Sequence, residues 1–165
     1  VKFQFSGIDE HIKALGMTPR DLFGSEPAYE LAVSLIEISN IWDDFIDGDH
    51  VAPSEINAAF YACLIEIPAN QFYRQHWNSI HALMQNAILQ FLCANRWEND
   101  KDPHGLELGH VLRYGVAHVV AQIVILAKGV QHAADVLPAL YKALCGDRVE
   151  DYRAEIMKRG VINDG

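Results

Sequence analysis

Asp43, Asp44, Asp47 and Asp49 place four carboxylates within seven residues. Carboxylate oxygens are hard ligands suited to Mg²⁺, Mn²⁺ or Ca²⁺. The run Trp42-Asp43-Asp44-Phe45-Ile46-Asp47-Gly48-Asp49 falls where a predicted helix ends, with Gly48 as its stop signal. A helix C-terminus carries roughly half a negative charge, so each acid there costs about 0.3–1 kcal/mol. A cation would reverse that penalty. The chemistry expected is a Mg²⁺ ion, or else Mn²⁺ or Ca²⁺, held by Asp43, Asp44 and Asp47. Its open positions would take water or the oxygens of a phosphate-containing small molecule, so a reaction would be metal-assisted chemistry on a phosphate or diphosphate. On a helical wheel Asp44 and Asp47 project together, and Asp43 points about 100° away.

Other residues bear on the same chemistry. No Lys or Arg occurs between Asp21 and Ala69, so the acids lack a local counter-charge. Arg113 stands in an apolar stretch, where a charge is rarely buried without a partner. It is expected to form a structural salt bridge, with Glu37 as one candidate partner, or to neutralise the Asp cluster or meet a phosphate with its planar fork. Asn95 and Glu98 lie three apart near the end of a long helix; a solvated terminus is the plainer reading, a second metal-bearing helix the sharper one. His110, Tyr114, His118 and Gln122 recur every four residues and read as a hydrogen-bonded seam, with no HExxH spacing. Glu37, Asn95, Glu98, Arg113 and His118 therefore complete the candidate set around the three aspartates.

The elements that must position these residues are helical throughout. Periodicity near 3.6 dominates, and only residues 1–5 hint at alternation. Short helices are predicted over 8–15 and 19–23, with Thr18 capping the second and Pro19 in its first turn. Longer ones follow over 26–46, 54–67 (ended by Pro68), 72–98, 106–129, 133–144 and 148–158, with Pro138 starting or kinking the seventh. Residues 160–165 should fray. The fold expected is an all-α, single-domain bundle of about six to eight helices over 1–165. In the 26–46 helix Glu30, Ser34, Glu37, Asn40, Asp44 and Asp47 line one face, while Leu31, Leu35, Ile38, Trp42, Phe45 and Ile46 line the other.

The stretch from Tyr29-Glu30-Leu31 to Gly48-Asp49 resembles the first aspartate-rich helix of the isoprenoid synthases, which include the trans-prenyltransferases and class I terpene cyclases. Their DDxxD motif matches Asp43, Asp44 and Asp47. The resemblance implies Mg²⁺ binding a diphosphate within an all-α fold. It covers about 20 residues, at the level of a short motif. This sequence has no second DDxxD, and Asp49-His50-Val51-Ala52 stands where prenyltransferases carry a basic pair. The "WDD-ID-GD" stretch, Pro68-Ala69-Asn70-Gln71-Phe72-Tyr73 and Val111-Leu112-Arg113-Tyr114 also resemble small phage-encoded proteins of unassigned function, which implies an accessory or host-interaction role. An EF-hand fits poorly, since Phe45 and Ser54 would occupy ligand positions three and twelve.

Composition bounds the rest. Thirteen Lys+Arg against 22 Asp+Glu give a formal net charge of −9, which argues against nucleic acid or an anionic membrane as partner. Cys63, Cys93 and Cys145 have no zinc-type spacing and read as reduced thiols of a cytoplasmic protein. Residues 1–5 are too short and polar for a signal peptide. The apolar run over 111–127 is interrupted by Arg113, His118 and Gln122 and reads as a core helix rather than a membrane span. Two functions follow as expectations. One is a divalent-metal-binding protein acting on a phosphate or diphosphate. The other is a non-catalytic phage-type accessory or interaction protein, whose acidic surface binds a basic partner and whose apolar helices support a homodimer.

Overall fold

Local capping signals set most helix boundaries. The structure, a computed structural model, describes residues 7–159; residues 1–5 and the tail 160–165 of the sequence reading lie outside them. Helices α1 (Gly7–Ala14) and α2 (Pro19–Phe23) come first, and Thr18 and Asp21 form a reciprocal capping box at the start of α2. Ser25 caps the 22-residue α3 (Glu26–Asp47). Gly48 ends α3 at φ +80°, a left-handed conformation that favours glycine. Next come α4 (Pro53–Tyr61), a π-helical turn (Ala62–Glu66), α5 (Ile67–Ala69) and α6 (Gln71–Gln75). The chain continues through α7 (Trp77–Asp100), α8 (Pro103–Leu112), α9 (Gly115–Lys128), α10 (Val130–Leu144) and α11 (Val149–Lys158). The described residues are all-α, with eight helices of eight residues or more, as the sequence predicts.

Helix α9 is the central element. Val119, Val120, Ile123 and Val124 are buried against α3, α7 and α10, with α2 at one end. Close approach of α7 and α9 depends on Gly115: a Cβ there would stand 2.9 Å from both Cα and Cβ of Ala87. Trp42 and Phe91 join the end of α3 to α7, ring centroids 4.4 Å apart. A small separate cluster of Leu106, Tyr152 and Ile156 holds α11 on α8.

Three predicted helices differ. The one predicted over 72–98 breaks at His76, whose φ of −114° and ψ of 20° lie outside the helical well. The one predicted over 106–129 divides at Arg113 and Tyr114 into α8 and α9. By length and composition alone Pro103–Lys128 could cross a membrane, yet its middle carries Arg113 among acids and its α9 half builds the core. Pro68 does not end its helix. The π turn precedes it, with the Ile67 N–H donating to the Ala62 carbonyl, five residues back. This wider turn relieves the clash a proline ring makes with the carbonyl four residues earlier. Pro138 lies inside α10, which begins at Val130.

Candidate functional site

The ends of α3 and α7, the α8–α9 break and the last turn of α11 meet at one cluster of charge. Arg113 ends α8 without entering α9, so its side chain turns inward and is largely buried. Its Nη2 donates to both carboxylate oxygens of Asp43, at 2.7 and 3.0 Å. Nη1 lies 3.5 Å from Glu98 Oε1, and Nη2 lies 3.9 Å from Asp47 Oδ2. Arg159 Nη1 is 2.7 Å from that Asp47 oxygen and the same guanidinium also holds Glu155. Tyr152 donates its hydroxyl to Glu98 Oε1 at 2.6 Å, and its ring lies 5.3 Å from the Arg113 guanidinium carbon. Lys101 Nζ donates to the Arg159 carbonyl, which secures the end of α11 beside the C-terminus of α7.

Burial and charge compete in this cluster. Burial pushes the Asp43 carboxyl above the usual aspartate range, and Arg113 pulls it back in part. Burial likewise raises Glu98, against the Tyr152 hydrogen bond and Arg113. Burial acts to discharge Arg113, but Asp43, Glu98 and Asp47 outweigh it, so its pKa rises and the guanidinium stays charged. Tyr152 is raised by burial and by its bond to Glu98. Three carboxylates (Asp43, Asp47 and Glu98) thus share two internal cations.

Several expectations need correction. Arg113 pairs with Asp43, Glu98 and Asp47, and Glu37 makes none of its contacts. Glu98 is 8 % exposed, so it is a buried partner and not a solvated helix end. The two aspartates that turn together are Asp43 and Asp47, one helical turn apart, while Asp44 faces solvent. Phe45 and Ile46, expected on the buried face of α3, are exposed, and Ser34 of the polar stripe is buried. Asn95 is half-buried and makes no hydrogen bond among those of the cluster. His118 is exposed beside Tyr141, ring centroids 5.7 Å apart, on the α9–α10 side. The upper part of its seam does form hydrogen bonds: His110 Nε2 lies 3.0 Å from the Asp147 carbonyl, and Tyr114 donates to the Asp147 carboxylate at 2.8 Å. Tyr152 and Arg159 escaped the sequence reading, because neither carries a local motif.

This donor set does not fit a resident divalent ion as it stands. Asp43 and Asp47 face guanidinium groups, and among the described residues no three His, Cys, Asp or Glu side chains are grouped to hold a metal. An ion there would have to displace Arg113 or Arg159.

The second feature is an arm made of α4, the π turn and α5. Its inner stripe is small: Ala58 is 8 % exposed and Ala62 0 %. The five-residue step of the π turn then brings Ile67, rather than Glu66, onto that buried stripe. The outer stripe is large and apolar: Ile56, Phe60 (67 % exposed) and Leu64 (58 %), with Tyr61 and Ile65 beside it. A surface helix ordinarily turns its large apolar residues inward; here the polarity is inverted. The root of the arm is fixed, since Asn70 Nδ2 donates to the Pro27 carbonyl at 2.9 Å while its Oδ1 accepts from the Tyr73 N–H. Comparison with protein-family models, with curated proteins and with solved structures finds no match to this chain.

Proposed function

We propose that this chain is a non-catalytic interaction protein that docks a partner on the outer face of the α4–π arm. The observation that carries this is the inverted arm, with alanines toward the body and Ile56, Phe60 and Leu64 toward solvent. An exposed, contiguous apolar stripe costs solubility and marks a surface that another molecule covers. The accessory role implied by the phage-protein resemblance needs no active site. The free cysteines Cys63, Cys93 and Cys145 fit a reducing compartment, so we assign the protein to the cytoplasm. The alternative, a divalent ion on Asp43, Asp44 and Asp47 for phosphate chemistry, has less support, because two of those acids already hold arginines.

The test uses Phe60→Gln/Leu64→Gln. Sedimentation follows self-association, and fluorescence anisotropy follows binding of amphipathic helical peptides. The native chain is expected to bind a peptide or itself, and the double variant to lose that binding while keeping its circular dichroism and melting temperature. A native chain that stays monomeric and binds no peptide at near-millimolar concentration overturns the reading.

A further inference from the structure

The stretch of chain that carries the apolar stripe holds charge of one sign. Between Arg20 and Arg74 there is no Lys or Arg, whereas ten Asp or Glu occur. Asp43 and Asp47 spend their charge on Arg113 and Arg159. Asp44, Asp49 and Glu55 form no ion pair among the described residues, and Glu55 uses one oxygen only to accept from the Ala52 N–H. Asp49 and Glu55 both lie close enough to Asp44 to act on its carboxyl. Partial burial first, then the charges of Asp49, Asp47 and Glu55, raise the Asp44 carboxyl. They stand at the α3–α4 corner, next to Phe45 and the first turn of the arm, and Glu66 lies at its far end.

Resting on the arm reading above, we propose that the partner is a cationic amphipathic α-helix: a protein segment whose apolar stripe covers Ile56, Phe60 and Leu64 and whose flanking Lys or Arg meet Asp44, Asp49 and Glu55. Residues spaced by four form a ridge that packs into the groove of another helix, and this ridge runs about 12 Å from the first to the third. Buried arm contacts give the affinity, and the acid rim sets orientation and sign. A second copy of the chain fits less well. Paired antiparallel, two arms would set the Asp44–Asp49–Glu55 corner against Glu66; paired parallel, they would set like corners together. Both arrangements oppose acid to acid, and 21–73 holds no cation to relieve it. The same sign disfavours a nucleic acid or an anionic bilayer.

The experiment compares three labelled helical peptides that share one apolar stripe and carry Lys, Gln or Glu along its borders. The Lys peptide is expected to bind about tenfold more tightly than the Gln peptide at low salt, about 1.4 kcal/mol, and to lose that margin at high salt. In Asp44→Asn/Asp49→Asn/Glu55→Gln its affinity should fall to that of the Gln peptide, whose own affinity stays unchanged. Phe60→Gln/Leu64→Gln should abolish all binding, with folding checked by circular dichroism in both variants. Equal affinity for the Lys and Gln peptides overturns the cationic partner and leaves the arm as a docking surface. Self-association without peptide binding makes the occupant a second copy and also overturns it. Lys-peptide binding that survives Phe60→Gln/Leu64→Gln overturns both this inference and the arm reading.

Discussion

One nitrogen of Arg113 bonds both oxygens of Asp43, at 2.7 and 3.0 Å, across 70 residues of chain. That contact joins the end of α3 to the break between α8 and α9. It also explains how acids can crowd a helix C-terminus: the missing counter-charge comes from elsewhere in the fold. Arg113 then reaches Glu98, and Arg159 completes the arrangement on Asp47.

Arg113→Ala leaves Asp43 without its cation and Glu98 with only the Tyr152 hydroxyl, while Asp47 keeps Arg159. Breaking a largely buried ion pair by removing one partner costs about 3 kcal/mol or more. Urea unfolding should show a loss of that order, with Arg113→Lys recovering part of it, since an ammonium keeps the charge without the planar fork. A change within about 0.5 kcal/mol, the range of ordinary surface substitutions, would refute the assigned role.

Tyr152→Phe removes the only hydroxyl that donates to buried Glu98 among the described residues. A hydrogen bond to a charged group contributes about 1.5–3 kcal/mol. In a double-mutant cycle with Glu98→Gln the cost should shrink, giving a coupling of about 0.5–3 kcal/mol. Equal costs in both backgrounds would dissolve the link between α11 and α7.

Glu37 is half-buried with no ion-pair partner among the described residues, and burial raises its carboxyl above the ordinary value of 4.5. The folded state therefore holds its proton to higher pH than the unfolded chain does. From 4.5 up to the raised folded value, stability falls as pH rises. Glu37→Gln should raise the melting temperature at neutral pH and flatten its decline between mildly acidic and neutral conditions. An unchanged pH profile in the variant would show that Glu37 contributes nothing to it.

Millimolar Mg²⁺, Mn²⁺ or Ca²⁺ should leave the melting temperature of the native chain unchanged, because Arg113 already holds Asp43 and Arg159 already holds Asp47, which leaves Asp44 alone of the three. Asp44→Asn/Asp47→Asn should be destabilised with or without metal, since it releases Arg159. A ligand at a hundredfold its Kd would add about 2.7 kcal/mol. A metal-dependent rise of that size, lost in the double variant, would return Asp44 and Asp47 to cation binding.

Much of the fold was legible along the chain, because its signals are local. The Thr18 cap and the Gly48 stop each involve residues within four of one another. The α8–α9 break was not legible, since apolar residues run through it and only the acids around Arg113 give the chain reason to turn its side chain inward. The DDxxD spacing was equally visible, yet it names only the residue types and not what faces them. Its pairing across α3 proved to be Asp43 with Asp47, and Tyr152 and Arg159 gave no local sign at all.

On its own, then, the order of residues determined an all-α chain, its caps and stops, and the surplus of acid over base. Tertiary structure alone decided which side of the arm faces the body and which cation meets each acid. The physical reason is range: helix formation is decided by contacts three or four residues apart, whereas Arg113 meets Asp43 over a separation of 70. Whether Ala58 and Ala62 or Ile56, Phe60 and Leu64 turn inward is set by what packs against the arm, α3 included, which no pattern within the arm records.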